Sequence, residues 1–267
     1  MAKGNNKREF RTMAKIMAII NQKGGVGKST TATTLAAGLT LKGYKTLAID
    51  LDAQSNLTYT AGAQTGGASI LGVITGEVKA ADAIQHIDGI GDIIAASKAL
   101  AGADGYITDT GKEYRLKEAI EPIKGYYDFI IIDTPPNLGI LTINALTAAD
   151  SVIIPAQADI YSIQGIEQLA ETMKPVKKYC NPALYIEGIL LTRYNSRTIL
   201  SRELAELAAK LAERLNTRLF KATIREAISV KESQIKRQSL YAYAPTAPIT
   251  KDYTAFIDEL LAPKTGD

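Results

Sequence analysis

The feature that most restricts the fold is a glycine-rich turn, Gly24-Gly25-Val26-Gly27-Lys28-Ser29, set between an apolar run and a helical pattern. Ile16 to Ile20 precede it and read as a buried strand, while Leu35 and Leu39 follow at helical spacing. In a strand–loop–helix turn of this kind, glycines let backbone N–H groups converge on phosphate oxygens, and the helix N-terminus adds a favourable dipole. Lys28 is placed to neutralise β- and γ-phosphate charge, the Ser29 hydroxyl to ligate Mg²⁺, and Thr30 to reach the α-phosphate. The usual G-x-x-x-x-G-K-[ST] spacing lacks its first glycine, because Asn21, Gln22 and Lys23 occupy that stretch.

Further apolar runs bounded by turn residues lie at Thr46 to Ile49, Asp92 to Ala95, Phe129 to Ile132, Ser151 to Ile154 and Ile186 to Leu191. Runs this short suit a parallel sheet covered on both faces. Helical stripes alternate with them: Ile163, Ile166, Leu169 and Met173, then Leu200, Leu204, Leu207, Leu211 and Leu215. The pattern predicts an α/β fold with a doubly wound, mostly parallel sheet of the P-loop NTPase kind. One ATPase domain is expected over residues 15–263, after a flexible basic arm at residues 1–14 in which Lys3, Lys7, Arg8 and Arg11 face only Glu9. Lys264 to Asp267 read as a frayed end, and Ala61 to Gly76 as a loop with a short helix.

Two of the apolar strands end in acids. Tyr127-Asp128-Phe129-Ile130-Ile131-Ile132-Asp133 brings Asp133 to the position where Mg²⁺ needs a carboxylate beside the phosphate loop. Asp50-Leu51-Asp52 presents two more acids at the same edge, where parallel sheets bind ligands.

Composition removes several function classes. With 46% hydrophobic and 22% charged residues among 267, the chain can bury one large core. No stretch approaches the roughly 18 apolar residues of a membrane span, and Met1 to Met13 lacks the apolar centre of a secretory signal, so a cytoplasmic location is expected. Cys180, the single cysteine, excludes an intrachain disulfide and a cysteine-ligated cluster built from one chain. His86, the single histidine, reads as a surface or satisfied side chain.

Taken together, Lys23-Gly24-Gly25-Val26-Gly27-Lys28-Ser29-Thr30, Asp50-Leu51-Asp52-Ala53-Gln54-Ser55-Asn56-Leu57 and Asp133-Thr134-Pro135-Pro136-Asn137-Leu138-Gly139 resemble the ParA/Soj partition ATPases, which carry a deviant Walker A motif within the larger MinD-like group. The resemblance runs from about Lys15 to the C-terminus. Ala53 departs from it, since the family usually has proline there. The resemblance implies that Lys23 is the signature lysine, which crosses to the nucleotide of a second protomer. It implies that Asp52 positions the attacking water and that Asp50 supports Mg²⁺ or the loop. It places the adenine near Thr192, Arg193, Ile224 and Arg225.

A switch follows from the resemblance: a slow Mg²⁺-dependent ATPase that dimerises with ATP, rests on nonspecific double-stranded DNA in the nucleoid, and is stimulated by a ParB-like centromere-binding protein. The cargo would be a plasmid or a chromosome. Formal net charge is only +3, yet positive charge is concentrated: Arg218, Lys221, Arg225, Lys231, Lys236 and Arg237 face only Glu226 and Glu232. These six are the DNA-binding candidates, with Lys251 in addition.

Two other readings share the ATP site. A MinD-like membrane regulator needs a basic amphipathic C-terminal helix; Phe256, Ile257, Leu260 and Leu261 give an apolar face, but Asp252, Asp258 and Glu259 have the wrong sign for anionic lipid. Packing of that helix on the core is expected instead, with no stable membrane association. An orphan ATPase that positions a protein cargo has the same sequence signature, because an adaptor selects the cargo.

Overall fold

The computed structural model describes residues 14–263, so residues 1–13 of the expected basic arm and the expected frayed end at residues 264–267 lie outside the described residues, while Ala14 packs into the core. Strands β1 (Lys15–Ile19), β2 (Thr46–Asp50), β3 (Ile84–Ile87), β4 (Gly91–Ile94), β5 (Phe129–Asp133), β6 (Ser151–Gln157) and β7 (Tyr185–Thr192) form one sheet in the order β3-β4-β2-β5-β1-β6-β7. All neighbouring pairs are parallel except β3 with β4. The antiparallel edge strand carries no long apolar run and was not anticipated. His86 sits on it, 70% exposed, with Nδ1 2.7 Å from Asp92 Oδ1.

Helices α1 (Lys28–Leu41), α2 (Asn56–Ala61), α3 (Ile70–Thr75), α4 (Ala103–Tyr106), α5 (Arg115–Ile120), α6 (Ile140–Ala148), α7 (Ile160–Tyr179), α8 (Ile199–Arg214), α9 (Ile228–Ile235), α10 (Leu240–Tyr243) and α11 (Pro248–Leu261) cover both faces. Alternation along the strands divides the core. Ile16, Ala18, Ile130 and Ile132 face α5, α6 and α7, whereas Met17, Ile19 and Ile131 face α1 and α11. This two-sided burial is what made the strands legible as unbroken apolar runs.

The C-terminal helix α11 packs on α1, as its acidic outer face suggested. Tyr253, Phe256, Ile257 and Leu260 are buried, each contributing about 1.5–3 kcal/mol of apolar burial. Gly38 permits the close approach: a Cβ there would sit 2.3 Å from Ile257 Cδ1. The leucine stripe of α8 is only half a core stripe. Leu204 and Leu211 are buried, but Leu200 and Leu207 are exposed because the buried face turns toward Ala208 and Ala212.

The chain leaves β1 toward β2 and β5 on one side and has β6 and β7 on the other. That reversal of strand order opens a crevice above the C-terminal end of β1, where ligands of such sheets bind.

Candidate nucleotide site

Residues 21–27 bridge β1 and α1 over that crevice. Gly25 and Gly27 have φ of 76° and 90°, a left-handed conformation that side chains disfavour, which is why glycine is needed at these two positions. The loop is braced from neighbouring strand ends. Asn21 Nδ2 donates to the Pro155 carbonyl at 2.7 Å, Gln157 Nε2 to the Gly25 carbonyl at 3.1 Å, and Thr192 Oγ1 to the Val26 carbonyl at 2.7 Å. Thr192, expected near the base, thus also holds the phosphate loop.

Parallel register brings the acids together. Ile19, Asp133 and Asp50 are consecutive partners across β1, β5 and β2. Asp133 is fully buried and neither carboxylate oxygen has a hydrogen-bond partner among the described residues. Burial, reinforced by the Asp50 charge, holds its carboxyl well above the ordinary carboxylate range; the Ser29 hydroxyl, close by but outside hydrogen-bond geometry, and the Lys28 ammonium offset this only in part. Lys28 is also buried, and burial pulls its ammonium below the usual range against the attraction of Asp133 and Asp52. Among the described residues its Nζ hydrogen-bonds only to the Lys23 carbonyl, at 3.3 Å.

Such a site is electrostatically incomplete: Lys28 and Asp133 attract each other but form no ion pair among the described residues, so the acid lacks a contacting cation and the lysine a contacting anion. A Mg²⁺–phosphate pair supplies both, and the donor set fits it, with Ser29 and Asp133 available as oxygen ligands or partners of metal-bound water. No cluster of three or more His, Cys, Asp or Glu able to hold a metal occurs among the described residues.

Asp50 differs from the expected metal partner. Its Oδ2 accepts from the Thr58 amide at 2.9 Å and the Thr58 hydroxyl at 2.7 Å, and its Oδ1 from the Asp52 amide at 3.1 Å. Of the two roles considered, the hydrogen bonds favour support of the loop. Asp52 accepts from the Gln54 amide at 3.0 Å and faces Lys28, at the phosphate end of the crevice. Lys23 points elsewhere: its Nζ lies 2.6 Å from Asp159 Oδ2, at the cap of α7.

A cavity of about 180 Å³ is lined by residues including Gly27, Thr30, Thr192, Arg193, Ile224 and Arg225, which brings all four residues expected at the base to one place. Sequence reasoning missed Glu226 and Ala227 just before α9, Val230 and Gln234 on α9, and Ile249 and Tyr253 on α11, which also line it, and Lys231 on α9, expected at DNA, lines it as well. Only tertiary packing assembles them, and no spacing signals it. Arg193, at a φ of 50°, pairs with Glu226 across the rim.

The six basic candidates do not act as one free patch. Arg218 pairs with the buried Glu187 at 3.0 Å and lies over Phe220, near the start of β7. Arg225 binds Asp252 through two hydrogen bonds, at 2.6 and 2.8 Å, at the far end of β7. Arg237 lies over the Tyr59 ring. Lys221, Lys231 and Lys236 are exposed and form no ion pair among the described residues.

Comparison with known proteins converges on the same reading. The profile of the family described as an AAA domain matches residues 14–186. The sporulation initiation inhibitor protein Soj of Bacillus subtilis is 37% identical over 255 residues, covering 94% of this chain and 99% of that protein. The chromosome partitioning protein ParA of Myxococcus xanthus is 40% identical over 212 residues, covering 77% and 74%. Among solved structures, cobyrinic acid a,c-diamide synthase from Mycobacterium smegmatis with bound ADP and magnesium is 33% identical and superposes with a TM-score of 0.78 over 92% of this chain and 93% of that one. A McdA–ATP complex from Cyanothece is 25% identical, with a TM-score of 0.82 over 94% and 97%. On its glycine-rich loop, its paired strand-end acids and this similarity along nearly the whole chain, the protein belongs to the ParA/Soj family of partition ATPases.

Proposed function

We propose that this chain is an ATP-dependent partition ATPase, which binds Mg²⁺-ATP, dimerises around it, holds nonspecific DNA while dimeric, and releases it after slow hydrolysis stimulated by a ParB-like partner. The observation that carries the reading is the buried Asp133 carboxylate, without a hydrogen bond, beside Lys28 and the left-handed glycines of the phosphate loop. A bound Mg²⁺ would neutralise phosphate charge, with Ser29 and Asp133 as its holders. Gly24, Gly25, Val26 and Gly27 cradle the phosphates through their amides, Lys28 neutralises the β/γ charge, and Thr30 serves the α-phosphate. Asp52 orients the attacking water. Lys23, released from Asp159, would reach the second protomer's nucleotide and there stabilise both the interface and the charge of the transition state.

Lys221 and Lys236 are the basic side chains best disposed to contact DNA phosphates, since Arg218 and Arg225 already neutralise Glu187 and Asp252 and Lys231 lines the cavity beside Ile224. Duplicating a modest set of phosphate contacts in a dimer about doubles the salt slope, which makes DNA affinity depend on ATP. No helix of the described residues is long and apolar enough to cross a membrane, and burial of the apolar face of α11 leaves no free lipid-binding face there.

The test is binding to nonspecific duplex DNA and to anionic liposomes, each with ATP, ADP or no nucleotide, across a salt series. ATP-dependent, salt-sensitive DNA binding without liposome binding is expected. Liposome binding alone would move the chain to the membrane-regulator class. Binding to neither would favour the ATPase that positions a protein cargo.

A further inference from the structure

Five helical threonines of this chain, Thr33, Thr60, Thr75, Thr172 and Thr254, each donate their hydroxyl to the carbonyl four residues back, at 2.7 to 3.1 Å. This back-bond is the ordinary resting place of a threonine proton in a helix. Thr30, in the first turn of α1, does something else. The carbonyl four residues before it belongs to Val26 in the phosphate loop, and that carbonyl already accepts from the Thr192 hydroxyl at 2.7 Å. The Thr30 hydroxyl oxygen instead accepts, from Gln234 Nε2 at 3.4 Å, and this is its only hydrogen bond among the described residues.

A hydroxyl carries one proton and two lone pairs. With an N–H arriving at its oxygen, the Thr30 proton is left for an acceptor in the cavity that Thr30 shares with Gly25, Gly27 and Gln234. Gln234 arrives from 204 residues further along the chain, on α9. Of the eight residues of α9 only Ser233 is buried, and the bond to Thr30 is the one side-chain hydrogen bond between α9 and α1 among the described residues.

A carboxamide suits this position better than any charged side chain. Its N–H donates without bringing a negative charge toward a phosphate; a carboxylate would take the Thr30 proton for itself, and an ammonium would bind the phosphate directly. The two hydrogen bonds of Thr30 also reinforce each other. A hydroxyl that donates to an anion becomes a better acceptor, so the long contact to Gln234 tightens when a phosphate is bound. We infer that Gln234 is a positioning residue for the nucleotide: by donating to Thr30 Oγ1 it turns the Thr30 proton onto the α-phosphate, and so ties affinity for that phosphate to the seating of α9. This role of Gln234 rests on the placing of Thr30 at the α-phosphate under the reading above.

Equilibrium binding of ADP, AMP and adenosine to the full chain, each with Mg²⁺, separates the two. Calorimetry serves for ADP, and displacement of labelled ADP for the weaker ligands. Gln234→Met keeps the length of the side chain and removes the donor. ADP and AMP, which carry the α-phosphate, should bind this variant about fivefold more weakly, on the scale of one net hydrogen bond, and adenosine should bind as to the wild type. Thr30→Val should lose at least as much ADP affinity, Thr30→Ser should stay within about twofold of the wild type, and Gln234→Met combined with Thr30→Val should be no weaker than Thr30→Val alone. An equal loss for adenosine overturns the proposal and assigns the amide to the base. Losses that multiply in the double variant overturn it as well, because the two side chains then act independently. Unchanged ADP binding in both Gln234→Met and Gln234→Ala removes Gln234 from the site and leaves Thr30 at the α-phosphate. Full ADP affinity in Thr30→Val, or wild-type binding of adenosine as tight as that of ADP, overturns the phosphate role of Thr30 and the role of Gln234 with it.

Discussion

Asp50 and Asp133 stand opposite each other on neighbouring parallel strands, both with no exposed surface, and they differ in almost everything else. Asp50 accepts three hydrogen bonds, one from the Asp52 amide in the loop after its own strand and two from Thr58 on α2, whereas Asp133 accepts none among the described residues. Burial pushes both carboxyls upward, Asp50 to about 6, where hydrogen bonds from Thr58 and Asp52 limit the rise. The pair shows that position and burial do not separate a structural acid from a functional one. The hydrogen-bond account does: a buried carboxylate satisfied within the chain holds the fold, and one left bare costs free energy until a ligand arrives.

The sharpest way to break that comparison is kinetic. Asp133→Asn keeps the shape and removes the charge that a cation would use, so Mg²⁺-dependent hydrolysis should fall about 100-fold or more, on the scale of losing one preorganised electrostatic group. Steady-state phosphate release measures it. A fall of less than about threefold would mean that Asp133 is merely an unsatisfied strand end.

Stability should order the same two acids the other way. At pH 5, Asp50→Ala should lose about 3 kcal/mol in urea unfolding, because three buried donors from Thr58 and Asp52 lose their acceptor. Asp133→Asn should lose little there. The sign of its pH dependence follows from the raised carboxyl: a group whose folded value lies above its ordinary 3.8 stabilises the fold below that value, and the stability is lost as pH rises through the folded value. Removing the carboxyl abolishes this loss, so Asp133→Asn should gain on the wild type as pH rises from about 4, and most when nucleotide and Mg²⁺ are absent. A variant that tracks the wild type across the whole range would show that Asp133 is hydrated or paired in solution.

The contrast also explains what the sequence could reveal. Strand-end acids and the glycine loop are contiguous motifs, and parallel strands convert contiguity into proximity, so Lys28, Ser29, Asp52 and Asp133 were legible together. The separate roles of Asp50 and Asp133 were not, because they depend on Thr58, eight residues beyond Asp50, folding back onto it. The base cavity was half legible for the same reason. Thr192 and Ile224 are bridged across the end of β7, but Gln234, Ile249 and Tyr253 arrive on helices whose placement no local spacing encodes. Charge counting erred in a related way: it registered Arg218 and Arg225 as surplus, and their partners Glu187 and Asp252 lie 31 and 27 residues away.

Asp159 stands between the two extremes and gives the smallest expected effect. It is satisfied within the chain, by Lys23 at 2.6 Å and by the Ser162 amide at 2.9 Å, and one of those partners is a cation the proposed dimer needs elsewhere. Burial raises its carboxyl, but the hydrogen bonds from Lys23 and Ser162 outweigh that and hold it below the usual range. Both side chains of the ion pair are about a third exposed, so water screens the attraction to about 0.5–1 kcal/mol. Asp159→Asn keeps an acceptor for the cap of α7 and removes the charge that retains Lys23. ATP-dependent self-association, followed by sedimentation, should therefore tighten about threefold with unfolding unchanged, whereas Asp159→Ala should also lose about 1 kcal/mol of helix capping. Weaker association in the Asn variant would place Asp159 within the dimer's own contacts and make it an acid of the same kind as Asp133, completed only by a partner.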